Sequence, residues 1–361
     1  MGSCGGREIK GQVKGHERFK GNANSKDFNL EPKPIGKGVF CKVYKGTFAN
    51  NPDKVVAVKA FNKKMLKDED MEAIHLETRK LKKLNHQNLW KYHDSYEDKD
   101  YVYVVSEFIE GRTLSHHIQN MKIEFTEADI GLMFQGLFSG LKYAHSKDIS
   151  HRNIKPENII IDKGGNMWLI DFGLARITTC ENAVKTDGEL CQYNAPEIEY
   201  FGYSSKSDIY ALGNVLYLVF ARKLPYSGSK FIGTFKNNRK KDITFNNPCW
   251  KEVSFELPAL IRKMLARDPT KRISAADALK DRWFDIVRNH STDDDEGHVD
   301  EEVINALENF SCDSIFQKGV MNILAGLLDD DEIKIAKKTF NLIDTDHNGI
   351  ISFEELKAAM K

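Results

Sequence analysis

The apolar residues of this 361-residue chain change their spacing near residue 113, and this change limits the folds that the chain can adopt. Before that point, residues 55–58 and 101–108 form β-rich runs, and residues 68–84 between them have helical spacing. After it, helical spacing dominates in segments that contain Phe134, Leu137, Leu141 and Ala144. We therefore predict an α+β fold, in which a β-rich small lobe precedes a helical large lobe.

Composition excludes several classes of protein. Lys plus Arg equals Asp plus Glu at 53 each, so the formal net charge is zero and the chain is not a global nucleic-acid binder. The six cysteines form no Cys-x-x-Cys pair, which argues against a disulfide framework or a zinc site and favours a reducing, intracellular compartment. The longest apolar stretch, residues 209–221, contains Gly213 and Asn214 and predicts a buried core helix, not a membrane span.

Composition also marks the ends of the main domain. Residues 1–27 are polar and glycine-rich, with an excess of basic residues, so we expect a disordered leader. Residues 285–328 begin with an acidic run, Asp293 to Glu296, and continue with apolar residues at helical spacing. We expect an acidic linker followed by a junction helix there. Residues 329–361 form a final unit.

The first residues of the leader are similar to an acylation signal. Gly2 would become the N-terminus once Met1 is removed, and Cys4 is placed to take a palmitoyl chain, although Gly6 stands where Ser or Thr is usual. One acyl chain binds a membrane only marginally, so peripheral contact would need the second chain or the basic leader. The alternative is a solvated leader without lipid. We therefore expect a cytoplasmic protein, membrane-associated only if it is acylated.

A glycine pair and a lysine suggest phosphate binding. Gly36 and Gly38 lie between strand-like segments, and glycines let backbone amides approach phosphate oxygens closely. A simple hairpin turn would explain them equally well. Lys59 follows on the next strand, and Glu77 lies on the helical stretch beyond it. A lysine held by this carboxylate would orient the α- and β-phosphates of ATP.

Further motifs follow in a fixed order along the chain. They are His151 to Asn158, Asp171 to Gly173, Ala195 to Glu197, then Asp208, Gly213 and Arg272. Together with the preceding motifs, this order and spacing resembles the protein-kinase superfamily. The resemblance covers residues 28–284, with a small lobe at 28–107 and a large lobe at 108–284.

The resemblance implies roles for the polar residues of these motifs. Lys59 and Glu77 would hold the ATP phosphates, and Asn158 and Asp171 would bind magnesium. Lys155 would contact the transferred phosphoryl group, and it belongs with Arg152 and Asn153 to the candidate catalytic loop. The partner implied by this activity is a protein that carries a hydroxyl to be phosphorylated.

The same resemblance implies the contacts of adenine. Val43, Ala57 and Ile160 would enclose the ring, and the hinge would consist of Glu107, Phe108 and Ile109. Ser106 would lie behind the ring, where a small side chain leaves room for bulky inhibitors. The alternative for Ser106 is a satisfied strand residue with no such role. Glu197 and Arg272 would form a buried structural ion pair.

Three residues depart from the kinase pattern. Asn153 stands where the family has its catalytic aspartate, and an amide is a far poorer base than a carboxylate. Leu190 stands where serine/threonine kinases have a threonine that bonds this aspartate and the loop lysine. Cys41 replaces the last glycine of the phosphate loop. We predict that binding of Mg-ATP survives while transfer is impaired.

Residues 344–355 fit the twelve-residue calcium loop of an EF-hand, and an acidic turn between helices is the alternative. Gly349 supplies the sharp turn. The oxygen ligands are Asp344, Asp346, Asn348, Ile350 through its carbonyl, Ser352, and Glu355 with both carboxylate oxygens.

A kinase domain followed by an apolar helix and an EF-hand resembles the calcium-dependent protein kinases. That family carries four EF-hands, whereas this chain ends at Lys361, inside the exit helix of one. EF-hands normally pair, so we expect pairing with another copy or with another EF-hand protein, or an incomplete gene product. Two functions remain open: a calcium-regulated serine/threonine kinase of low activity, or a non-catalytic pseudokinase switch that presents surfaces to a partner.

Overall fold

The computed structural model describes residues 25–38, 41–120, 125–172, 192–198, 202–226 and 242–290. Contacts divide them into two compact units. The first consists of the described residues up to Lys67 with Asp94–Val105, and the second of Asp68–His93 with the described residues from Ser106 onward. The leader with Gly2 and Cys4, residue Leu190, the linker and junction helix, and the whole calcium loop lie outside the described residues.

The predicted strands of the small lobe form a five-stranded sheet in the order β1-β2-β3-β5-β4. Its strands are β1 (Phe28–Lys37), β2 (Cys41–Phe48), β3 (Asn51–Asn62), β4 (Tyr92–Glu97) and β5 (Tyr101–Glu107).

One face of this sheet carries the core of the first unit. Val56 and Val58 on β3 are fully buried and pack with Phe28, Tyr96 and Val105. The rings of Phe28 and Tyr96 are stacked with centroids 5.7 Å apart. Successive strand residues point to opposite faces, so the odd-numbered neighbours on β3 point away from this core.

The second unit is helical, as predicted, apart from one small sheet. Its helices are α1 (Asp68–Leu81), α2 (Leu114–Asn120), α3 (Glu127–His145), α4 (Ser205–Ala221), α5 (Glu256–Met264), α6 (Ala275–Ala278) and α7 (Arg282–His290). The sheet, in the order β6-β7-β8, contains β6 (Gly111–Thr113), β7 (Ile159–Asp162) and β8 (Met167–Leu169). Short 3-10 turns lie at Ser25–Asp27, Lys63–Met65, Pro156–Asn158 and Pro248–Lys251.

Helices α3 and α4 form the centre of the second unit. α3 begins with a capping box, in which Thr126 Oγ1 accepts from the Asp129 N–H at 3.1 Å and Asp129 accepts from the Thr126 N–H at 2.9 Å. α4 contains the apolar stretch predicted as a core helix, and most of its residues are buried. No helix in the described ranges is long and apolar enough to cross a membrane.

The end of α1 is anchored on the second unit by polar contacts. Tyr143 Oη donates to the Lys83 carbonyl at 3.2 Å and accepts from the Asn85 N–H at 3.2 Å. Asn88 Nδ2 donates to the Met167 carbonyl at 3.0 Å. These bonds give a physical reason why α1 groups with the helices, although the motif pattern places residues 28–107 in one lobe.

Candidate active site

Strand pairing in the first unit brings three predicted ATP-binding residues to one face. Val43 pairs with Lys59, and Ala57 pairs with Lys45 on the same two strands. Residues directly opposite each other share a face of the sheet. Val43, Ala57 and Lys59 therefore share the face opposite the Val56 and Val58 core, and each is half-buried.

The glycine pair lies where β1 turns into β2. Gly36 pairs with Val43, and the Gly38 N–H donates to the Cys41 carbonyl at 2.8 Å. A Cβ on Gly36 would meet only Val43, at an ordinary distance of 3.6 Å. Packing of the protein itself therefore does not require glycine at this position. Cys41, which replaces the last glycine of the pattern, is half-buried.

In the second unit, Asp208 holds the backbone of the candidate catalytic loop. Its carboxylate accepts from the N–H groups of His151 and Arg152, both at 2.8 Å. The ring of His145 donates to the same carboxylate from Nε2 at 2.9 Å. Arg152 has a φ of 70°, which costs about 1–3 kcal/mol for a residue other than glycine. The bonds to Asp208 offset that cost.

His151 connects the loop to the strand end before Asp171. Its Nδ1 accepts from the Asn153 N–H at 3.2 Å, so Nε2 carries the proton and donates to the Ile170 carbonyl at 2.7 Å. Burial lowers the pKa of His151 below its ordinary value, because it disfavours the charged ring. The neutral ring is also packed edge-on against Phe172, with centroids 4.4 Å apart.

Asn158 and Asp171 are suited to bind magnesium. Asn158 Nδ2 donates to the Asn153 carbonyl at 2.8 Å, which leaves the amide oxygen of Asn158 as its possible metal ligand. The Ile170 N–H donates to the Asn158 carbonyl at 2.9 Å and so brings the residue before Asp171 beside Asn158. Mg²⁺ prefers oxygen ligands and usually takes one or two from protein alongside substrate phosphates. Among the described residues no larger cluster of metal-binding side chains exists, and this pair fits such a site.

Asn153 lines a small cleft within the second unit. Residues that line this cleft include Arg152, Asn153, Lys155, Tyr193, Asn194 and Tyr203. The side chain of Asn153 is half-buried and has no hydrogen bond to any other residue that the structure describes. The amide is therefore placed to meet a ligand in the cleft. The sequence did not predict the contribution of Tyr193, Asn194 and Tyr203.

Glu77 has a partner that the motif pattern does not predict. Its Oε1 accepts from Arg152 Nη1 at 3.1 Å and from Lys80 Nζ at 3.3 Å, and its side chain is only 3% exposed. The pairing of Glu77 with Lys59 concerns residues of the two separate units and stays a prediction. No local sequence signal joins Arg152 to Glu77, because the contact spans 75 residues.

The predicted hinge begins at the end of β5. Ser106 is buried, and its hydroxyl donates to the Glu107 carbonyl at 3.3 Å. The Glu107 N–H donates to the Lys91 carbonyl at 2.8 Å. Ile109 follows in a loop, and Ile160 lies half-buried on β7. Ser106 thus has a bonded hydroxyl, which agrees with the alternative of a satisfied strand residue.

The predicted structural ion pair of Glu197 and Arg272 is confirmed. Arg272 Nη1 and Nη2 donate to the two carboxylate oxygens of Glu197 at 2.6 and 2.9 Å. Both side chains are buried, and Ser207 Oγ adds a third bond to Glu197 at 3.1 Å. The guanidinium also lies over the ring of Tyr210, 4.9 Å from its centroid.

Two family models match the chain in the positions that the motifs indicate. A model described as "Protein kinase domain" matches residues 30–284, and one described as "EF hand domain" matches residues 335–361. A solved structure of Rad53 in complex with AMP-PNP is similar, with a TM-score of 0.60 and 28% identity. That similarity covers 74% of this chain and 67% of the Rad53 chain.

Curated relatives point to one branch of that family. Calcium-dependent protein kinase 4 of Arabidopsis thaliana is 30% identical over 340 residues, which cover 93% of this chain and 67% of that protein. CDPK-related kinase 5 of the same plant is 28% identical over 333 residues, covering 90% of this chain. The chain spans about half the length of this relative and of a CDPK-related protein kinase of Daucus carota, 55% and 54% respectively. Because a kinase model matches most of the chain and an EF-hand model matches its end, the chain belongs to the protein kinase family and is a relative of the calcium-dependent protein kinases.

Proposed function

We propose that this chain binds Mg-ATP and Ca²⁺, and that its transfer of the γ-phosphoryl group to protein hydroxyls is impaired by Asn153. The observation that carries the proposal is the amide at position 153, in a residue that lines the same cleft as Lys155, on a loop whose backbone is held by Asp208, His151 and Asn158. The scaffold for catalysis is present, while the group that would accept the substrate proton has changed.

The cost of this change follows from acid–base chemistry. A carboxylate can accept and orient the hydroxyl proton, whereas an amide oxygen only accepts a hydrogen bond. Loss of a general base typically slows a reaction about 10²- to 10⁴-fold, or roughly 3–5 kcal/mol of barrier. Phosphoryl transfer depends mostly on positioning and on magnesium electrostatics, so slow residual transfer is consistent with the site.

Nucleotide binding is supported by the residues that remain. Lys59 shares a sheet face with Val43 and Ala57, and Asn158 is oriented beside the segment that leads to Asp171. Bound Mg²⁺ would neutralise charge at the phosphates, and the side chains of Asn158 and Asp171 would supply its protein oxygen ligands. Since packing of the protein does not require glycine at position 36, close approach of a ligand to the backbone remains the proposed reason for Gly36.

Calcium binding is supported by the ligand pattern of residues 344–355 and by the EF-hand model that matches residues 335–361. The bidentate ligand Glu355 is the natural residue to test. Glu355→Gln removes one carboxylate charge and should abolish the calcium response of intrinsic fluorescence or calorimetry, while Glu354→Gln at the neighbouring non-ligand position should keep it.

A non-catalytic switch is the second candidate. It is favoured because two residues whose family counterparts bond each other, Asn153 and Leu190, have both changed. Leu190 can make neither of the hydrogen bonds expected of a threonine there, so Asn153 is not the only altered residue. In this function the chain would bind nucleotide and calcium and change the surface that it presents to a partner protein.

One assay separates the two candidates. Transfer of radiolabelled phosphate to a mixed peptide substrate is measured with and without calcium for the natural chain, Asn153→Asp, and Asn153→Asp with Leu190→Thr. The proposal expects slow or undetectable transfer by the natural chain and a gain of about 10²-fold or more in the variants. Transfer only in the variants favours the switch. Equal and rapid transfer by all three chains contradicts impairment.

Nucleotide binding needs its own test. Calorimetric titration of Mg-ATP into the full chain should show binding that is weakened by Asp171→Asn and retained by Asn153→Asp. Asp162→Asn is a suitable control, because Asp162 bonds only within the turn between β7 and β8 and to Trp168. No binding heat and no thermal shift with the natural chain would exclude a nucleotide-dependent function.

Pairing of the EF-hand is proposed as well. EF-hands normally pair, so calcium bound at the hand matched at residues 335–361 should promote association with a second copy or another EF-hand protein. Light scattering at increasing concentration in calcium measures this, with Glu355→Gln as the matched control. A monomeric mass throughout contradicts pairing between copies.

A further inference from the structure

The C-terminal ends of α1 and α3 lie against each other in the second unit. Tyr143 in the last turn of α3 bridges them, because its hydroxyl bonds both the Lys83 carbonyl and the Asn85 N–H. The ring of His86 lies 5.5 Å from that of Tyr143, and its Nε2 is 3.1 Å from Ser139 Oγ. The two helix ends therefore form one fixed surface.

Four exposed lysines surround this junction. We call Lys82, Lys83, Lys142 and Lys147 the basic cluster. Lys147 Nζ lies over the ring of Tyr143 at 4.9 Å, and Lys82 Nζ lies over that of Tyr92 at 5.9 Å.

Three of the four lysines of the basic cluster are not neutralised by an ion pair. Within the part of the chain that the structure describes, Lys83, Lys142 and Lys147 form none, whereas Lys82 makes a further interaction. Asp148 follows Lys147 in sequence, and with it the cluster still keeps a net positive charge. Each helix C-terminus favours some basic residues on its own, but the meeting of two such ends concentrates them at one place.

We propose that the acidic segment at residues 293–302 of this same chain docks on the basic cluster. Seven of these ten residues are Asp or Glu, and none is Lys or Arg. Charges of opposite sign attract over about 10 Å at an ionic strength of 0.1 M, so the two surfaces are complementary in the solution that the protein meets.

The path of α7 places this segment within reach of the cluster. α7 crosses α3 at Gly131, where Val287 lies against the glycine. Phe284 packs on Phe138 on one side of this crossing, with ring centroids 5.6 Å apart, and Trp283 Nε1 donates to Glu127 on the other side at 2.7 Å. Tyr143 is twelve residues further along α3 than Gly131, a distance of about 18 Å at 1.5 Å per residue. From His290, twelve extended residues span at most about 40 Å, which clearly exceeds this distance, so the later residues of the acidic segment can arrive at Tyr143.

Tethering strengthens what would otherwise be weak contacts. A single exposed ion pair contributes only about 0.2–1 kcal/mol. A segment held by a short linker, however, is present at an effective concentration in the millimolar range. Several ion pairs between this tethered segment and the basic cluster would then fix the position on the kinase domain from which the junction helix and the EF-hand continue.

Zero-length carbodiimide cross-linking of the full chain, mapped by mass spectrometry, tests the proposal. It joins a lysine amine to a carboxylate only where the two touch. We expect cross-links from the basic cluster to residues 293–302 at about 0.1 M salt and their loss at about 1 M, where the Debye length falls from about 10 Å to about 3 Å. Lys83→Glu with Lys147→Glu should abolish them.

A charge-matched control is Lys163→Glu with Lys271→Glu, since both lysines are exposed and lie outside the basic cluster. It should keep the cross-links, and thermal unfolding should show that both double variants are folded. Three results overturn the proposal: no such cross-links, cross-links that survive Lys83→Glu with Lys147→Glu, or cross-links only between copies when isotopically light and heavy chains are mixed. Binding of the cluster to phosphatidylserine vesicles with no cross-link to residues 293–302 would instead assign it to a lipid surface.

Discussion

The guanidinium of Arg152 donates to the buried carboxylate of Glu77 at 3.1 Å, and so ties the candidate catalytic loop to helix α1. Lys80 Nζ reaches the same oxygen at 3.3 Å from one turn further along α1. Glu77 is therefore held from two directions within the second unit, before any contact with the predicted partner Lys59 is considered.

Removal of Arg152 should weaken this unit more than removal of Lys80. Arg152→Met leaves a carboxylate that is 3% exposed with only the lysine as partner, so we expect a loss of about 1–3 kcal/mol in the free energy of unfolding. Lys80→Met removes a partner that is 39% exposed and should cost less than about 1 kcal/mol. Urea unfolding measures both, and equal losses would show that the bond of Arg152 to Glu77 contributes no more to stability than the more exposed bond of Lys80.

Replacement of Arg272 by lysine should destabilise the protein through its pair with Glu197. Arg272→Lys keeps the charge but loses the two parallel bonds at 2.6 and 2.9 Å. We expect the variant to lose about 1–3 kcal/mol of stability, because a carboxylate oxygen of Glu197 loses a buried hydrogen bond. Arg282→Lys is the control, since that side chain is 80% exposed beside Glu256. A small change in the urea midpoint of Arg272→Lys would contradict the buried bidentate geometry.

Stability should fall in mild acid because of His86. Burial lowers the pKa of His86 from 6.5 to about 4, and its Nδ1 accepts from the Asn88 N–H. Between pH 6.5 and 4 the unfolded chain binds a proton at His86 that the folded chain does not. The contribution of the neutral ring to the free energy of unfolding is therefore complete above pH 6.5 and is lost as the pH falls toward 4. At about 1.4 kcal/mol per pKa unit, and with screening at a half-buried ring, it amounts to at most about 3 kcal/mol.

The measurement for His86 is the free energy of unfolding at a series of pH values. His86→Gln should flatten its slope between pH 6.5 and 4, whereas His116→Gln, which changes an exposed residue of α2, should not. An unchanged slope in His86→Gln would assign the acid sensitivity to other groups.

The packing of α7 on α3 requires a glycine at position 131. A methyl group at Gly131 would overlap the side chain of Val287, so Gly131→Ala should destabilise the protein by about 1–3 kcal/mol. That outcome has the opposite sign to the gain of about 1 kcal/mol expected for this change in a helix from propensity alone. Val287→Ala should relieve the overlap, so the double variant should lose less stability than the sum of the single variants. Additive losses would argue against the contact.

Local patterns predicted the elements of this protein well. Residues 55–58 lie inside β3, and the stretch 209–221 lies in the buried helix α4, as periodicity indicated. The helical stretch predicted at 68–84 forms α1, which ends three residues earlier, at Leu81. These features depend on spacing within one segment, which a single sequence displays directly.

Contacts between residues of different segments could not be predicted from these local patterns. The bonds of Arg152 to Glu77 and of Tyr143 to Lys83 join residues 75 and 60 positions apart, and the bond of Asp208 to His145 joins residues 63 apart. Periodicity tells which face of a helix is apolar, but it does not tell which polar residue of another element lies opposite. The kinase motifs predicted the pair of Glu197 and Arg272 only because a known family supplied it.

The sequence by itself determined the order of the strands and helices, the oxygen-rich calcium loop, and the presence of an amide in place of a carboxylate at position 153. Side-chain chemistry and spacing are written into the chain and do not depend on how its parts meet. Only the tertiary structure decided that Asn153 lines a cleft with Tyr193 and Lys155, and that Arg152 reaches Glu77. Such neighbours are chosen by the packing of whole helices and sheets, which sums many weak contacts over the entire core.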